Sequence, residues 1–195
     1  MNTLIEIIAY LIEVFGSLFL GIVLLRFLLQ LVRADFYNPL SQSIAKLTNP
    51  ILIPLRRIIP GMFGIDVASL ILAFLLHLII AELLAMVLFH TFVNPLALVL
   101  WVILGLLQIT SYIFLICMLI VVVSSFIAPF SQHPAITLAR QLIEPLLKPL
   151  QKMLPPMGGL DFSVLFLGIG IFIIQKILFA FAHGTALNPK IIIGF

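Results

Sequence analysis

Five ionisable residues sit inside long apolar runs of this chain: Glu13, Arg26, His77, Glu82 and Lys176. A charge at bilayer depth costs about 3 kcal/mol or more, so each needs a partner or a purpose. Ion pairing, proton relay and ion conduction are the chemistries such residues support. Glu6, Tyr10, Glu13, Ser17 and Gly21 recur at helical spacing on one stripe, while Arg26 points away from it near the end of the same run. Arg26 is expected to snorkel or to pair locally, as with Asp35. Ser69, Ala73, His77, Ala81 and Ala85 follow at steps of four, a row of small residues that lets helices approach closely. On such a face a histidine is more simply hydrogen-bonded glue than a ligand. Glu82 is expected to pair with Lys176, or Glu13 to bridge to Lys176. The alternatives are a permeation path lined by Glu13, His77, Glu82 and Lys176, and contact with a partner.

The elements that must position these groups follow from composition. Of 195 residues 64% are hydrophobic and 9% charged, and the mean hydropathy is +1.35. That is more apolar surface than one soluble core absorbs, so the surplus faces lipid. A spanning helix takes about 20 apolar residues. The pattern predicts four, near Leu4 to Val32, Val67 to Phe92, Leu96 to Ile127 and Phe162 to Ala182. The third exceeds one perpendicular span, so it must tilt, project or break near Gln108 to Ser111. The N-terminal stretch carries Glu6 but no basic residue and no small-residue cleavage site, and is expected to stay as a helix. The single cysteine, Cys117, excludes an internal disulfide and a cysteine metal cluster. A net charge of +3 from basic residues interleaved with prolines does not suit nucleic acid.

The chain repeats itself. A shift of 95 positions aligns residues 39–72 with 134–167 without a gap, and 12 of the 34 positions are identical. Four proline pairs, Gly64 with Gly159 and Asp66 with Asp161 carry the match, because each of these residues fixes backbone geometry. Residues 1–94 and 95–195 therefore read as two copies of one unit: apolar helix, amphipathic interfacial segment, apolar helix. Asn94-Pro95 is the expected turn between them. Two crossings per copy make the copies parallel, related by an axis along the membrane normal, with both interfacial segments on one face. Seven of the ten basic residues lie on that face, namely Arg33, Lys46, Arg56, Arg57, Arg140, Lys148 and Lys152. It is therefore expected to be cytoplasmic, with both termini external.

In the second interfacial segment Ile136, Ala139, Ile143, Leu147, Leu150 and Leu154 form an apolar face, and Arg140, Glu144, Lys148, Gln151 and Lys152 take the others. The first is a weaker version, with Leu40, Ile44 and Leu47 opposing Gln42, Ser43 and Lys46. Prolines four apart, Pro50 with Pro54 and Pro145 with Pro149, predict two short helices joined at a kink in each segment. Arg56, Arg57, Arg140, Lys148 and Lys152 are candidates for contact with lipid headgroups, serving anchoring, or for docking a cytoplasmic partner. Asp66 and Asp161 directly precede apolar helices, where a carboxylate caps the free amides of the first turn. Ion binding at the membrane edge is the other reading of these two aspartates.

The run Glu144-Pro145-Leu146-Leu147-Lys148-Pro149, continuing through Leu154-Pro155-Pro156-Met157-Gly158-Gly159-Leu160-Asp161-Phe162-Ser163, resembles the motif of the YggT family of bacterial and plastid membrane proteins. The first copy keeps Pro50, Pro54, Pro60, Gly64 and Asp66 but has Asn49 in place of the acid, and Gly61-Met62-Phe63-Gly64 in place of the double proline and double glycine. The resemblance covers nearly the whole chain. It implies a cytoplasmic-membrane protein without known catalysis, linked to osmotic or envelope stress, and in plastid relatives to assembly of membrane complexes. From the residues themselves there is no Walker loop, zinc motif, nucleophile elbow or carboxylate pair placed for acid–base work. Gly168-Ile169-Gly170 is better explained by helix packing. No catalytic residue, metal or cofactor is expected. Two function classes stay open: an all-α membrane scaffold or assembly factor whose partners are the bilayer and another membrane protein or a second copy, and a small ion or solute channel or transporter.

Overall fold

The computed structural model describes residues 3–61, 64–128, 130–153 and 162–195, and it is all-helical. Six helices follow in order: α1 Thr3–Leu31, α2 Pro39–Ile58, α3 Val67–Phe89, α4 Pro95–Ile127, α5 Pro134–Met153 and α6 Ser163–Gly184. α1, α3, α4 and α6 are each long and apolar enough to cross a membrane, whereas α2 and α5 are strongly amphipathic. Residues Pro155, Gly159 and Asp161 of the second motif lie outside the described residues.

Local chemistry sets the helix starts. Asn38 and Asn94 each precede a proline at the first helical position, where the missing N–H leaves nothing unsatisfied. Their side-chain oxygens accept from the amides of Leu40 and Leu96 at 2.9 and 3.0 Å. α1 and α3 end on residues in the left-handed region, Arg33 and His90, both at φ 54°. At the first of these stops the Ala34 amide donates to the Leu29 carbonyl at 2.8 Å, which turns the chain sharply towards α2.

One sequence expectation for the helices needs correction, and one of the alternatives left open for α4 is excluded. α2 and α5 are each one continuous helix through both prolines, not two short helices meeting at a kink. Pro50, Pro54, Pro145 and Pro149 all lie on exposed surface. The carbonyls they leave without a helical donor therefore open towards the outside, where water or headgroups complete them. α4 is also unbroken across Gln108 to Ser111. Its Thr110 and Ser111 hydroxyls donate back to the Leu106 and Gln108 carbonyls at 2.8 and 2.7 Å, so polar residues are absorbed without interrupting the backbone ladder. At 33 residues it is about 50 Å long, well beyond the apolar thickness.

α1 packs on α3, α3 on α4, and α4 on α6, while α6 touches α4 and α5 but neither α1 nor α3. The row Ser69, Ala73, His77, Ala81 and Ala85 is wholly buried. Gly16 admits Ile80 so closely that an added Cβ would lie 2.8 Å from its Cδ1. Small residues thus do the work that apolar burial cannot do between helices in lipid. The outer faces carry large exposed apolar residues such as Phe15, Leu18, Ile79, Leu107, Phe172 and Ile173.

The two arms lie together. α2 contacts α5, the Asn38 side-chain amide donates to the Pro134 carbonyl at 2.9 Å, and the Asp35 amide donates to Gln141 Oε1 at 3.1 Å. α5 buries Leu138, Ala139, Leu142, Ile143 and Leu147 against the ends of α1, α4 and α6. α2 differs: its bundle face is Ser41, Thr48 and Leu52, and Leu40, Leu47, Ile51 and Ile58 form a separate exposed apolar stripe.

Candidate functional site: a polar lock beneath the first arm and a buried histidine beneath the C-terminal segment

Beneath α2 a set of polar side chains joins three helices. Arg26, on the last third of α1, is only 5% exposed. Its Nη1 donates to the Ala45 carbonyl at 3.0 Å and to the Thr48 hydroxyl. It neither snorkels nor pairs with Asp35, whose carboxylate instead accepts from the Tyr37 amide at 2.8 Å. The reason is geometric: α2 folds back over this end of α1 and offers acceptors at closer range than the turn does.

One helical turn further along α1, Gln30 accepts from Arg56 Nη2 at 3.2 Å. Arg56 also forms an ion pair with Asp66 and donates its Nε to Asp66 Oδ1 at 3.3 Å. Asp66 caps α3, accepting from the Ser69 amide at 3.4 Å and from the Ser69 hydroxyl. Burial pushes the Asp66 carboxyl upward, but the hydrogen bonds from Arg56 and Ser69 outweigh it and hold the group below its ordinary range. The cluster fastens the arm to both helices it connects. Sequence reasoning assigned Asp66 to capping and Arg56 to the surface, and missed that one pairs with the other. The ten-residue spacing across a turn gives no periodic signal. Thr48→Val is expected to cost about 1–2 kcal/mol, since it strips a buried guanidinium of an acceptor, and a thermal melt in detergent reads it directly.

At the second polar locus His77 and Glu82 were expected from the sequence, but the segment that covers the histidine was not. After α6 the chain turns back, and Ile191 and Ile192 bury against α3 and α4, each 2% exposed. Ile192 and Ile193 cross α4 at Gly105, where an added Cβ would lie 2.8 Å from Ile192 Cγ2, 2.9 Å from the Ile193 carbonyl oxygen and closer still to His77 Cε1. Gly194, at φ 110°, follows against the Gly105 carbonyl and Gln108. Irregular backbone is tolerated at such depth when protein covers it. Trp101 pins the start of this segment, its indole N–H reaching the Thr185 carbonyl at 3.3 Å. His77 is fully buried, and both its ring nitrogens, with Gln108 Oε1 and Glu82 Oε2, have no hydrogen-bond partner among the described residues. The only hint in the sequence was an apolar Ile-Ile-Ile-Gly-Phe run after Asn188-Pro189-Lys190, too short to read as a span.

The remaining intramembrane charges do not converge. Glu13 and Lys176 lie on outer surfaces, and Lys176 sits 5.3 Å from the centre of the Phe172 ring. Neither Glu82 nor Glu13 pairs with Lys176, because α6 reaches neither of their helices. Depth also separates them. His77 meets α4 at Gly105, but Gln175 meets it at Ser111 through a 3.1 Å hydrogen bond. These points are about 9 Å apart along α4, with Gln175 on the side of the arms. The 95-residue register would place Gln175 beyond His77 in the opposite direction. Among the described residues the ion pairs are Arg56–Asp66 and Lys148–Glu144, and no group of three histidine, cysteine or acidic side chains is placed to hold a metal.

The doubled order of long helix, amphipathic helix and long helix matches a known family profile, CCB3/YggT, over residues 5–88 and again over 100–182. The chain belongs to the CCB3/YggT family. It is 45% identical over 169 residues to an uncharacterised protein of Pseudomonas aeruginosa, covering 86% of each chain. It is 39% identical over 177 residues to YggT of Escherichia coli, covering 90% of this chain and 88% of the relative. A Vibrio alginolyticus protein is 36% identical over 164 residues, covering 84% of this chain and 88% of that one. No solved structure matches. Membership in a bacterial family, with four helices fit to cross a membrane, makes the chain a multi-pass membrane protein. In this CCB3/YggT member the polar contacts beneath the first arm join α1, α2 and α3.

Proposed function

We propose that this protein is a non-catalytic structural or assembly factor of the bacterial cytoplasmic membrane, acting in osmotic or envelope stress. In this reading residues 1–94 and 95–195 are tandem copies of one unit, both termini face outward, and the paired arms form a cytoplasmic docking face for another membrane protein or a second copy, without a cofactor. The observation that carries it is the contact between α2 and α5, pinned by Asn38 to Pro134 and locked to the bundle by Arg56 and Asp66. Two amphipathic helices held this firmly leave Lys46, Arg57, Arg140, Lys148 and Lys152 exposed on the surface of the arms. Such a surface suits anionic headgroups or an acidic protein face.

Photo-crosslinking side chains placed at Lys46 and Arg140, and at Phe15 on the outer face of α1, test the reading in cells. Discrete protein adducts at the arm positions with lipid alone at Phe15 support it. Lipid alone at all three positions would sink it. The buried polar atoms of His77, Glu82 and Gln108 favour a second reading, a small ion or solute channel. Flux through proteoliposomes that His77→Ala and Glu82→Gln abolish, while parallel neutralisation of outer-surface Glu13 and Lys176 leaves it intact, would promote that reading. An absence of flux under any gradient would remove it.

A further inference from the structure

Where α1 ends and the second arm passes it, a cleft of about 380 Å³ opens between the turn and α5. Val32, Ala34 and Pro145 form its apolar wall, and Arg33, Glu144 and Lys148 supply its charges. Its size lies in the range of small-ligand sites. The turn that builds it is fixed. Arg33 is held at φ 54° by its own amide donating to the Gln30 carbonyl at 3.1 Å, and Gln141 anchors the next residues by accepting from the Asp35 amide.

The charges are unevenly matched. Lys148 Nζ lies 2.9 Å from Glu144 Oε1, so these two offset each other. Arg33 has no side-chain partner among the described residues, which leaves the cleft with one uncommitted guanidinium and a net charge of +1. A guanidinium binds a phosphodiester in a fork of two hydrogen bonds. The lysine contact is made by Oε1, and a carboxylate has a second oxygen, so Glu144 can accept a further hydrogen bond. The cleft stands at the end of a helix long and apolar enough to cross a membrane, beside an amphipathic one, and the end of such a span is where lipid headgroups lie.

We propose that this cleft binds the headgroup of a membrane phospholipid: the phosphodiester on Arg33, and a hydrogen-bond donor at the far end of the headgroup on Glu144. Ethanolamine and glycerol headgroups carry such a donor. A choline headgroup, whose nitrogen bears only methyl groups, does not. The lipid's chains then run along the apolar wall between α1 and α5. The site does not depend on the docking role of the arms, since it needs only the turn, α5 and a bilayer.

The test uses the full chain in detergent micelles, titrated with phosphatidylethanolamine, phosphatidylglycerol or phosphatidylcholine and read by native mass spectrometry. The ethanolamine and glycerol lipids are expected to bind about tenfold more tightly than the choline lipid. Arg33→Gln should weaken both by about tenfold, whereas Glu144→Ala, which removes the acceptor, should erase most of the preference over choline. Lys190→Gln, far from the cleft, should change nothing. Arg33 and Glu144 are exposed, so the melting temperature of each variant should stay at the parent value and confirm that folding is intact. Equal binding of all three lipids by the parent chain, or unchanged binding by Arg33→Gln, would overturn the proposal. So would soluble glycerophosphoethanolamine binding as tightly as the intact lipid, because the ligand would then be a free phosphoester. Failure of arm crosslinking to protein leaves these outcomes untouched, so the two readings fail separately.

Discussion

Asp66→Ala is expected to destabilise the protein by about 3 kcal/mol, the low end of the range for breaking a buried ion pair, because Arg56 keeps some access to solvent. Three losses combine. Arg56 is left without its carboxylate, Ser69 loses a partner, and the first turn of α3 loses its cap. A further cost comes from Arg26, which feels the positive charge of Arg56 and the offsetting charge of Asp66 across the same cluster. Removing the acid leaves the repulsion between the two guanidiniums without its offset. Arg56→Met added to Asp66→Ala should therefore recover part of the loss, and a double-mutant cycle on thermal midpoints measures how much. If the double variant is less stable than Asp66→Ala alone, the contribution of Arg56 comes chiefly from its bond to Gln30 and not from this pair.

The same carboxyl gives a pH dependence of defined sign. Its folded pKa lies below the unfolded value of about 3.9, so its contribution is complete above that value and disappears as pH falls through the folded pKa. Between neutrality and about pH 4 this group should leave stability flat. Below that range the parent protein should lose stability in a component that Asp66→Asn lacks. Parallel acid melts of the two proteins check it, and identical slopes would contradict the assignment.

Gly105→Ala carries the other large effect, about 2 kcal/mol or more, because overpacking a close contact forces neighbours to move. Two of the three atoms in its way cannot yield cheaply: His77 is enclosed on every side, and the Ile193 oxygen belongs to the backbone. The segment Ile191–Gly194 is the part most able to leave, so its amides should exchange with solvent far faster in the variant. His77→Ala introduced beside Gly105→Ala opens the required space and should restore protection in part. Unchanged exchange in Gly105→Ala would mean that residues 191–194 do not pack on α4 as described.

The four spans and both arms were legible because composition and periodicity report them directly: apolar runs of 20 or more, and an alternation of faces from Ile136 to Leu150. Asn94-Pro95 marked the turn before α4, and the aspartate before Val67 marked a helix start through elementary capping chemistry. The continuous arms were not legible, because a proline pair forbids two backbone bonds but says nothing about which surface carries the exposed carbonyls. The partners of Arg26 and Lys176 were beyond reach for another reason. Which acceptor a long side chain finds depends on how neighbouring helices are staggered, and a repeat in sequence suggests equal depth for elements that in fact meet α4 at different levels. The Gly105 crossing was hidden likewise, since a glycine in an apolar run reveals nothing of the segment that will lie over it.

The central claim is that α2 and α5 lie side by side on one surface of the membrane. In a Cys117→Ala background, single cysteines at Lys46 and Lys148, both exposed on the arms, can be challenged with a membrane-impermeant maleimide in sealed vesicles of known orientation. Both should label from the same side and resist labelling from the other. Labelling of one arm from each side would contradict the account.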